Sequence, residues 1–334
     1  MSYYLWSTWK KNGLLIIIKI KMKKKILITG AAGYIGSYLT TKLVLLGYNV
    51  IALDNLSLSK NSLSHLFLYE NFYFIKGDVR NKKLISKLIK GVDFIVPLAA
   101  LVGAPLCDKF PKLTKQINLD SIKFILKKIK NNQKIIYPNT NSGYGIGKKN
   151  AFCNENSPLN PISLYGKTKV QSEKLILQHK NSVVFRLATI FGFSYRMRTD
   201  LLVNFFVKEA VINNKIEIFE PHFRRNFIHI SDIADAFIFT LKNFKKMRGN
   251  IYNLGLSNAN LTKIQLAKVI KKQLTTTKIK VIKNVSDPDK RDYYVSNKKI
   301  EKIGFKAKIS LDQGIKELSN LYKINDYKGN KNNY

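Results

Sequence analysis

Cysteine, histidine and arginine are all scarce in this chain, and each scarcity removes a class of function. Two cysteines, Cys107 and Cys153, cannot build a disulfide framework. They form no ligand cluster with histidine, which fits a reducing cytosol and argues against a structural metal. The four histidines, His65, His179, His222 and His229, make no HExxH-like pair, so no metal is expected. Long apolar runs are missing as well. The stretch Leu14 to Ile18 is too short to span a bilayer, Lys19 ends it, and no small-residue cleavage site follows. Residues 1–22 therefore read as a dispensable extension with no membrane role expected, an uncleaved anchor being the alternative. Acidic residues number 21 against 58 lysines and arginines, for a formal net charge of +37.

That charge invites a nucleic-acid reading, but its distribution speaks against one. Only 8 of the 58 are arginine, leaving 50 lysines spread along nearly every segment. A dispersed excess is not a binding stripe, so compositional bias is the favoured reading and no nucleic-acid partner is expected. Against the lysine background the arginines carry more information, because a bidentate phosphate clamp is a task lysine does poorly. Six of them are Arg186, Arg196, Arg198, Arg224, Arg225 and Arg291.

What is present is the material of a large folded domain: 334 residues, 45% hydrophobic. From Ile26 onward, short apolar runs rich in β-branched residues alternate with stretches of helical periodicity. Strands are predicted at Ile26 to Thr29, Val50 to Leu53, Phe72 to Ile75, Phe94 to Val96, Ile135 to Tyr137 and Val183 to Leu187. Helices are predicted at Ile35 to Leu46, Lys83 to Lys90, Ile117 to Ile129 and Leu164 to His179. Continuous apolar strands separated by helices imply a parallel sheet covered on both faces, a doubly wound α/β (Rossmann) domain over residues 23–190. After about Phe191 the alternation is lost. A smaller mixed α/β substrate lobe is expected over residues 191–325, part of it returning to the first domain, and residues 326–334 read as a frayed tail.

The segment Ile26-Leu27-Ile28-Thr29-Gly30-Ala31-Ala32-Gly33-Tyr34-Ile35-Gly36 places a glycine-rich turn between a strand and a helix. Such glycines permit a tight turn, let the backbone approach a pyrophosphate and allow close helix packing, while the helix N-terminus offers unpaired N–H groups. Asp54 follows a second strand about 20 residues later, where a carboxylate can accept both ribose hydroxyl hydrogens. It would repel a 2′-phosphate, so NAD is expected over NADP. Asp78, in Gly77-Asp78-Val79, falls just past the third strand near the adenine edge; a helix cap is its equally weighted alternative.

Tyr165-Gly166-Lys167-Thr168-Lys169 puts a phenol and an ammonium four residues apart on one helix face. A phenol is a poor base at neutral pH, and a nearby cation favours its ionised form.

Together with the glycine turn and the strand order, this pair carries a resemblance. From Lys24 to about Leu321 the chain resembles an extended short-chain dehydrogenase/reductase of the NAD-dependent nucleotide-sugar epimerase/dehydratase family. The resemblance rests on Thr29 to Gly36, Asp54, Gly77-Asp78, Leu98-Ala99-Ala100, Asn139 to Gly145, Tyr165 with Lys169, and Arg225 to Ile230. It implies a homodimeric cytosolic oxidoreductase or isomerase of polysaccharide biosynthesis. It assigns Gly30, Gly33, Tyr34, Ile35, Gly36, Asp54, Asp78, Val79, Leu98, Ala99, Ala100 and Lys169 to the cofactor. Tyr165 would take the proton of a sugar hydroxyl while hydride passes to the nicotinamide, Lys169 would lower the phenol pKa and hold the ribose, and Thr140 would hydrogen-bond the reacting oxygen.

The same resemblance implies a substrate set of Asn141, Ser142, Tyr144, Thr189, Arg196, Arg198, Arg225 and Arg291, with two guanidinium groups suited to a diphosphate bridge. Family members that dehydrate the sugar usually carry Asp-Glu after the catalytic hydroxyl; Asn141-Ser142 cannot supply that acid–base pair, so 4,6-dehydration is not expected. Thr189 stands where Asn is common, and Pro97 where His is frequent. Strings such as Val102 to Asp108 and Arg196 to Asn204 are most similar to a subgroup acting on GDP-linked heptoses. The expectation is therefore oxidation at C4 of a GDP- or UDP-linked sugar, ending in epimerisation or in release of a ketosugar. A non-catalytic NAD-sensing or nucleic-acid-associated protein on the same fold is the competing class.

Overall fold

A computed structural model describes residues 4–11, 14–21, 24–147, 151–283 and 291–324. The tail expected at 326–334 lies outside the described residues, as do Met22 and the Pro288-Asp289-Lys290 stretch ahead of Arg291.

The centre is a seven-stranded parallel sheet. Its strands are β1 (Lys25–Thr29), β2 (Asn49–Asp54), β3 (Phe72–Lys76), β4 (Phe94–Pro97), β5 (Lys134–Thr140), β6 (Ser182–Leu187) and β7 (Asn250–Leu254). In space they run 3-2-1-4-5-6-7, the doubly wound order. The strands read as unbroken apolar runs because both faces are covered, and alternate residues feed opposite layers. Ile26 and Ile28 pack into a core with Leu39, Phe237 and Phe244. Leu27, between them, packs with Ile85, Ile122, Ile125 and Ile176 on the other face. All three β1 residues are fully buried, each contributing about 1.5–3 kcal/mol by removal from water.

The helices on those faces are α1 (Tyr34–Leu45) and the long Ile230–Met247 on one side, and α2 (Lys82–Leu88), Ser121–Lys128 and Leu164–Ile176 on the other. The second lobe has its own core of Val203, Phe206, Ile216, Leu266 and Leu318, joined by Tyr34 from the start of α1. Among the described residues its strands enter three small sheets, one pairing Lys215–Phe219 with Lys278–Ile282, one joining Thr189–Phe191, Arg224–His229 and Asn260–Thr262, and one pairing Tyr294–Val295 with Phe152–Cys153 of the first domain. Part of the stretch 191–325 lies in the first domain: β7 completes the large sheet beside β6.

Two segments differ from the sequence expectation. The helix predicted at Ile117 to Ile129 is preceded by short helices Ala104–Lys109 and Pro111–Lys115 and is broken by a π-turn at Gln116–Asp120. Asn118 in that turn spends its amide on the Leu101 backbone, a local bond that apolar periodicity does not reveal. The extension forms a hairpin, Tyr4–Lys11 antiparallel to Leu14–Lys21, as a sheet of its own. Among the described residues no helix is long and apolar enough to cross a membrane, and no group of three or more His, Cys, Asp or Glu could hold a metal ion.

Candidate active site

A cavity of about 580 Å³ opens over the carboxyl ends of the central strands, the position where doubly wound sheets bind ligands. Its size is that of a cofactor site. The floor begins at the turn after β1. Gly30 has φ +71°, and a Cβ there would meet Ala99 N at 2.6 Å; a Cβ on Gly36 would stand 2.1 Å from Gly30 O. Side chains at either place would push apart the turn, the Leu98-Ala99 backbone and the helix behind it. The α1 N-terminus has Gly33 as N-cap, with no side-chain cap and no acidic residue in its first turn, so its amides are available to an anion.

Asp54 closes the other end of this cradle. Its carboxylate accepts from Ala32 N (2.9 Å) and Leu56 N (2.8 Å), with the Asn55 N–H contributing as well. Burial raises its pKa, opposed by those backbone N–H groups and by the field of Arg196. Asp78 lines the same region, held in a fork by Arg80 at 2.7 and 2.9 Å. The helix-cap alternative for Asp78 fails: Asn81 caps α2, accepting from Leu84 N. Val79, Leu98, Ala99, Ala100 and Ile35 also line the cavity. Tyr34 lines it while its buried hydroxyl donates to Gly192 O at 2.6 Å, tying the helix start to the second lobe. A glycine cradle, an uncapped helix end and a cavity-lining carboxylate after the second strand together fit a dinucleotide.

The reacting end lies where β5 and helix Leu164–Ile176 meet. Ser163 caps that helix, accepting from Gly166 N at 3.2 Å, so Tyr165 falls in its first turn, where the helix dipole favours an anion. Thr140, Tyr165 and Lys169 all line the cavity. The phenol is pushed up to about 12 by burial and next by Cys107; the leading cationic influences that oppose this are Arg291 and Arg198. The Lys169 ammonium, expected to lower the phenol pKa, sits 4.0 Å from the centroid of the Tyr137 ring. Burial pushes Lys169 itself down to about 7, with Glu173 one turn further on pulling it back. Thr140 Oγ1 accepts from Ser142 N at 3.1 Å and lies 2.8 Å from Ser142 Oγ.

Ser142, Thr189, Arg196, Arg198, Arg225 and Arg291 line the cavity. Arg291 donates to Ser142 Oγ, and Arg225 is held against the Arg291 carbonyl and beside Tyr293. Arg198 is paired with Asp200, largely buried and not on the surface.

The structure removes two residues from the expected substrate set. The Asn141 side chain is buried away from the lining, with neither amide atom hydrogen-bonded among the described residues. Tyr144 is 1% exposed; its hydroxyl donates to Asn253 Oδ1 (2.6 Å) and accepts from Arg186 (3.0 Å). Arg186 also forks onto Glu173 at 2.7 and 3.1 Å, and Asn139 donates to the same carboxylate. This network supports the β5 end from behind. Motif spacing places Asn141 and Tyr144 beside the reacting hydroxyl, but the 3-10 turn at Asn141–Tyr144 rotates them inward. Arg224 is also committed elsewhere, to Asp292 at 2.7 and 2.8 Å. Tyr293 and Lys263, unremarked in the sequence, line the cavity; Tyr293 could have been found as the residue two beyond Arg291 on an extended run.

Residues 26–255 match the model of the NAD dependent epimerase/dehydratase family. The chain belongs to this family. A putative UDP-glucose 4-epimerase of Methanocaldococcus jannaschii is 27% identical, covering 90% of this chain and 99% of that one. CDP-paratose 2-epimerase of Salmonella typhi is 28% identical over 88% and 98%. Among solved structures, UDP-glucuronic acid 4-epimerase of Bacillus cereus, in complex with UDP-glucuronic acid and NAD, superposes with a TM-score of 0.78 at 26% identity, covering 90% and 99%. As a member of an NAD-dependent family whose solved relatives hold NAD, the chain is an NAD enzyme with the Rossmann architecture read from its sequence.

Proposed function

We propose that this enzyme oxidises C4 of a nucleotide-diphosphate sugar, as a 4-epimerase or as a dehydrogenase that releases the 4-ketosugar. The observation that carries the reading is one cavity that joins Thr140, Tyr165 and Lys169 to the glycine cradle on one side and to Arg198, Arg225 and Arg291 on the other. The first group abstracts a proton from a hydroxyl; the last binds a diphosphate. Bound NAD would supply the acceptor for the hydride leaving the same carbon. Thr140 orients the substrate hydroxyl, Tyr165 accepts its proton, and the C–O bond becomes a carbonyl as C–H breaks.

The phenol, at about 12 in the isolated protein, needs help to act near neutrality. Arg291 and Arg198 supply positive field, and the first-turn position supplies the helix dipole. Lys169 is poised to gain or lose its own proton near pH 7, which suits a residue that exchanges a proton with a neighbour. Ser142, held by Arg291 and adjacent to Thr140, and the buried Asn141 offer no carboxylate, so dehydration is excluded from the proposal. The names of the 4-epimerases among its relatives favour C4 as the reacting position. The identity of the sugar, with a GDP-linked heptose as the leading candidate and a UDP-sugar as the second, rests on the motif resemblance at Val102 to Asp108 and Arg196 to Asn204. A homodimer in the cytosol is what that resemblance implies, and the two buried thiols of Cys107 and Cys153, free of disulfides, suit a reducing compartment.

The test is to incubate the protein with NAD and a panel of UDP-, GDP-, CDP- and dTDP-sugars in deuterated water, following NADH absorbance and the sugar by NMR. A C4-inverted sugar without net NADH establishes the epimerase; a ketosugar with matching NADH establishes the dehydrogenase. A panel in which every sugar is returned unchanged rejects both.

A further inference from the structure

The cofactor end of the cavity holds one charged side chain that motif position assigns to the substrate. Arg196 is 1% exposed, it lines the cavity, and its Nε is buried with no hydrogen-bond partner among the described residues. A guanidinium N–H left unmatched in the interior is costly, so a buried one turned toward a cavity points to a ligand that accepts from it. Its neighbour Arg198 already has a forked carboxylate partner in Asp200.

Position decides which ligand. The Arg196 backbone N–H donates to Ser37 Oγ at 3.2 Å, and Ser37 lies in the first turns of α1, behind the uncapped helix end. On the other side the Arg196 charge acts on Asp54, one of the opposite charges that counter the effect of its burial. The Arg196 backbone is thus anchored to α1 close to the helix N-terminus, where a pyrophosphate binds, and its charge is felt by the carboxylate placed to receive the adenosine ribose. A dinucleotide brings two phosphate charges into that interval, and Asp54 alone would repel them. A planar fork is the group suited to offset this. Arg225 and Arg291 lie at the other end, tied to each other and to Ser142 beside Thr140.

We propose that Arg196 binds the cofactor: its guanidinium clamps the pyrophosphate of NAD, and the sugar nucleotide's diphosphate is left to Arg225 and Arg291. The proposal rests on NAD occupying the glycine cradle. Isothermal titration of the full-length protein with NADH, and of the NADH-loaded protein with UDP and GDP as substrate-side probes, separates the two assignments. Arg196→Gln is expected to weaken NADH roughly 10- to 100-fold, the range for a lost charged hydrogen-bond pair, while UDP and GDP affinities stay within about twofold. Unchanged NADH affinity overturns the proposal, as does an equal loss of NADH and nucleotide affinity in a variant that melts like the parent. Should the Gln variant fail to fold, Arg196→Lys keeps the charge and removes the fork; it is expected to bind NADH at least about threefold more weakly, and parental affinity overturns the assignment. An unmodified protein that binds no NADH would refute the cofactor cradle itself, a different result from a parent that binds and a variant that binds equally.

Discussion

The two ends of the cavity are made of different materials. The cofactor end is mostly backbone: Gly30, Gly33 and Gly36 and the α1 amides, joined by the carboxylates of Asp54 and Asp78 at the ends of the next two strands. The substrate end is long side chains, Arg198, Arg225, Arg291, Lys263 and Tyr293, brought from separate segments of the second lobe. Backbone geometry depends on what a residue lacks, so few sequences satisfy it. A guanidinium can reach a phosphate from many places, so the substrate end is free to vary. One end is thus a fixed fitting and the other an adjustable one, with Thr140, Tyr165 and Lys169 at the join.

If that division holds, removing the base at the join should stop chemistry without touching either end. Tyr165→Phe is expected to lose roughly 10²-fold or more in kcat, the scale of a general base, with NADH affinity unchanged by titration. Near-parental turnover would remove Tyr165 from the mechanism. At the fixed end, Asp54→Ala is expected to weaken NAD about tenfold, the loss of charged hydrogen bonds to a ribose, and to weaken NADP less. Tighter binding of NADP than NAD by the unmodified protein would contradict the role of Asp54.

Lys169 gives a smaller effect of opposite sign. Its folded pKa of about 7 lies below its ordinary value of about 10.4. Between those two values the unfolded chain holds a proton that the folded one has released, so Lys169 makes stability rise with pH across this window; below about 7 the cost of the buried charge is constant. Lys169→Met should therefore raise the melting temperature of the nucleotide-free protein by about 2 °C or more at pH 7. That gain should shrink towards pH 10, while turnover is lost. A lower melting temperature at pH 7 would show that the ammonium stabilises the fold. The smallest expected effect is none: a chain starting at Met22 should melt and turn over like the whole, because the Tyr4–Lys21 hairpin is a sheet of its own. Loss of folding would show that the hairpin braces the domain.

The same division explains what could be read from the sequence. All six strands predicted ahead of Phe191 are present, with boundaries shifted by no more than three residues, because two-sided burial writes continuous apolar runs and the glycine turn is contiguous. Lys169 and Tyr165 are legible because both sit on one helix. Asn141 and Tyr144 were misplaced because a 3-10 turn, not visible in apolar periodicity, turns them into the interior. Arg186 was indistinguishable from a phosphate ligand, since its partner Glu173 stands 13 residues away on a different element. Spacing along a helix puts Tyr165 and Lys169 on one face, whereas the burial that shifts each of them comes from elements the spacing does not show.

The position of β7 has a consequence for how the chain is made. β6 closes at Leu187 and its partner begins at Asn250, so the edge of the sheet stays open while residues 188–249 emerge from the ribosome. Every residue of β6 is buried in the finished protein, and its exposed ladder at that stage is a flat apolar edge of the kind that recruits other chains. Nascent chains halted between residues 190 and 249 are expected to aggregate, and those extended past residue 254 to escape, so synthesis speed across this interval governs the yield of folded enzyme.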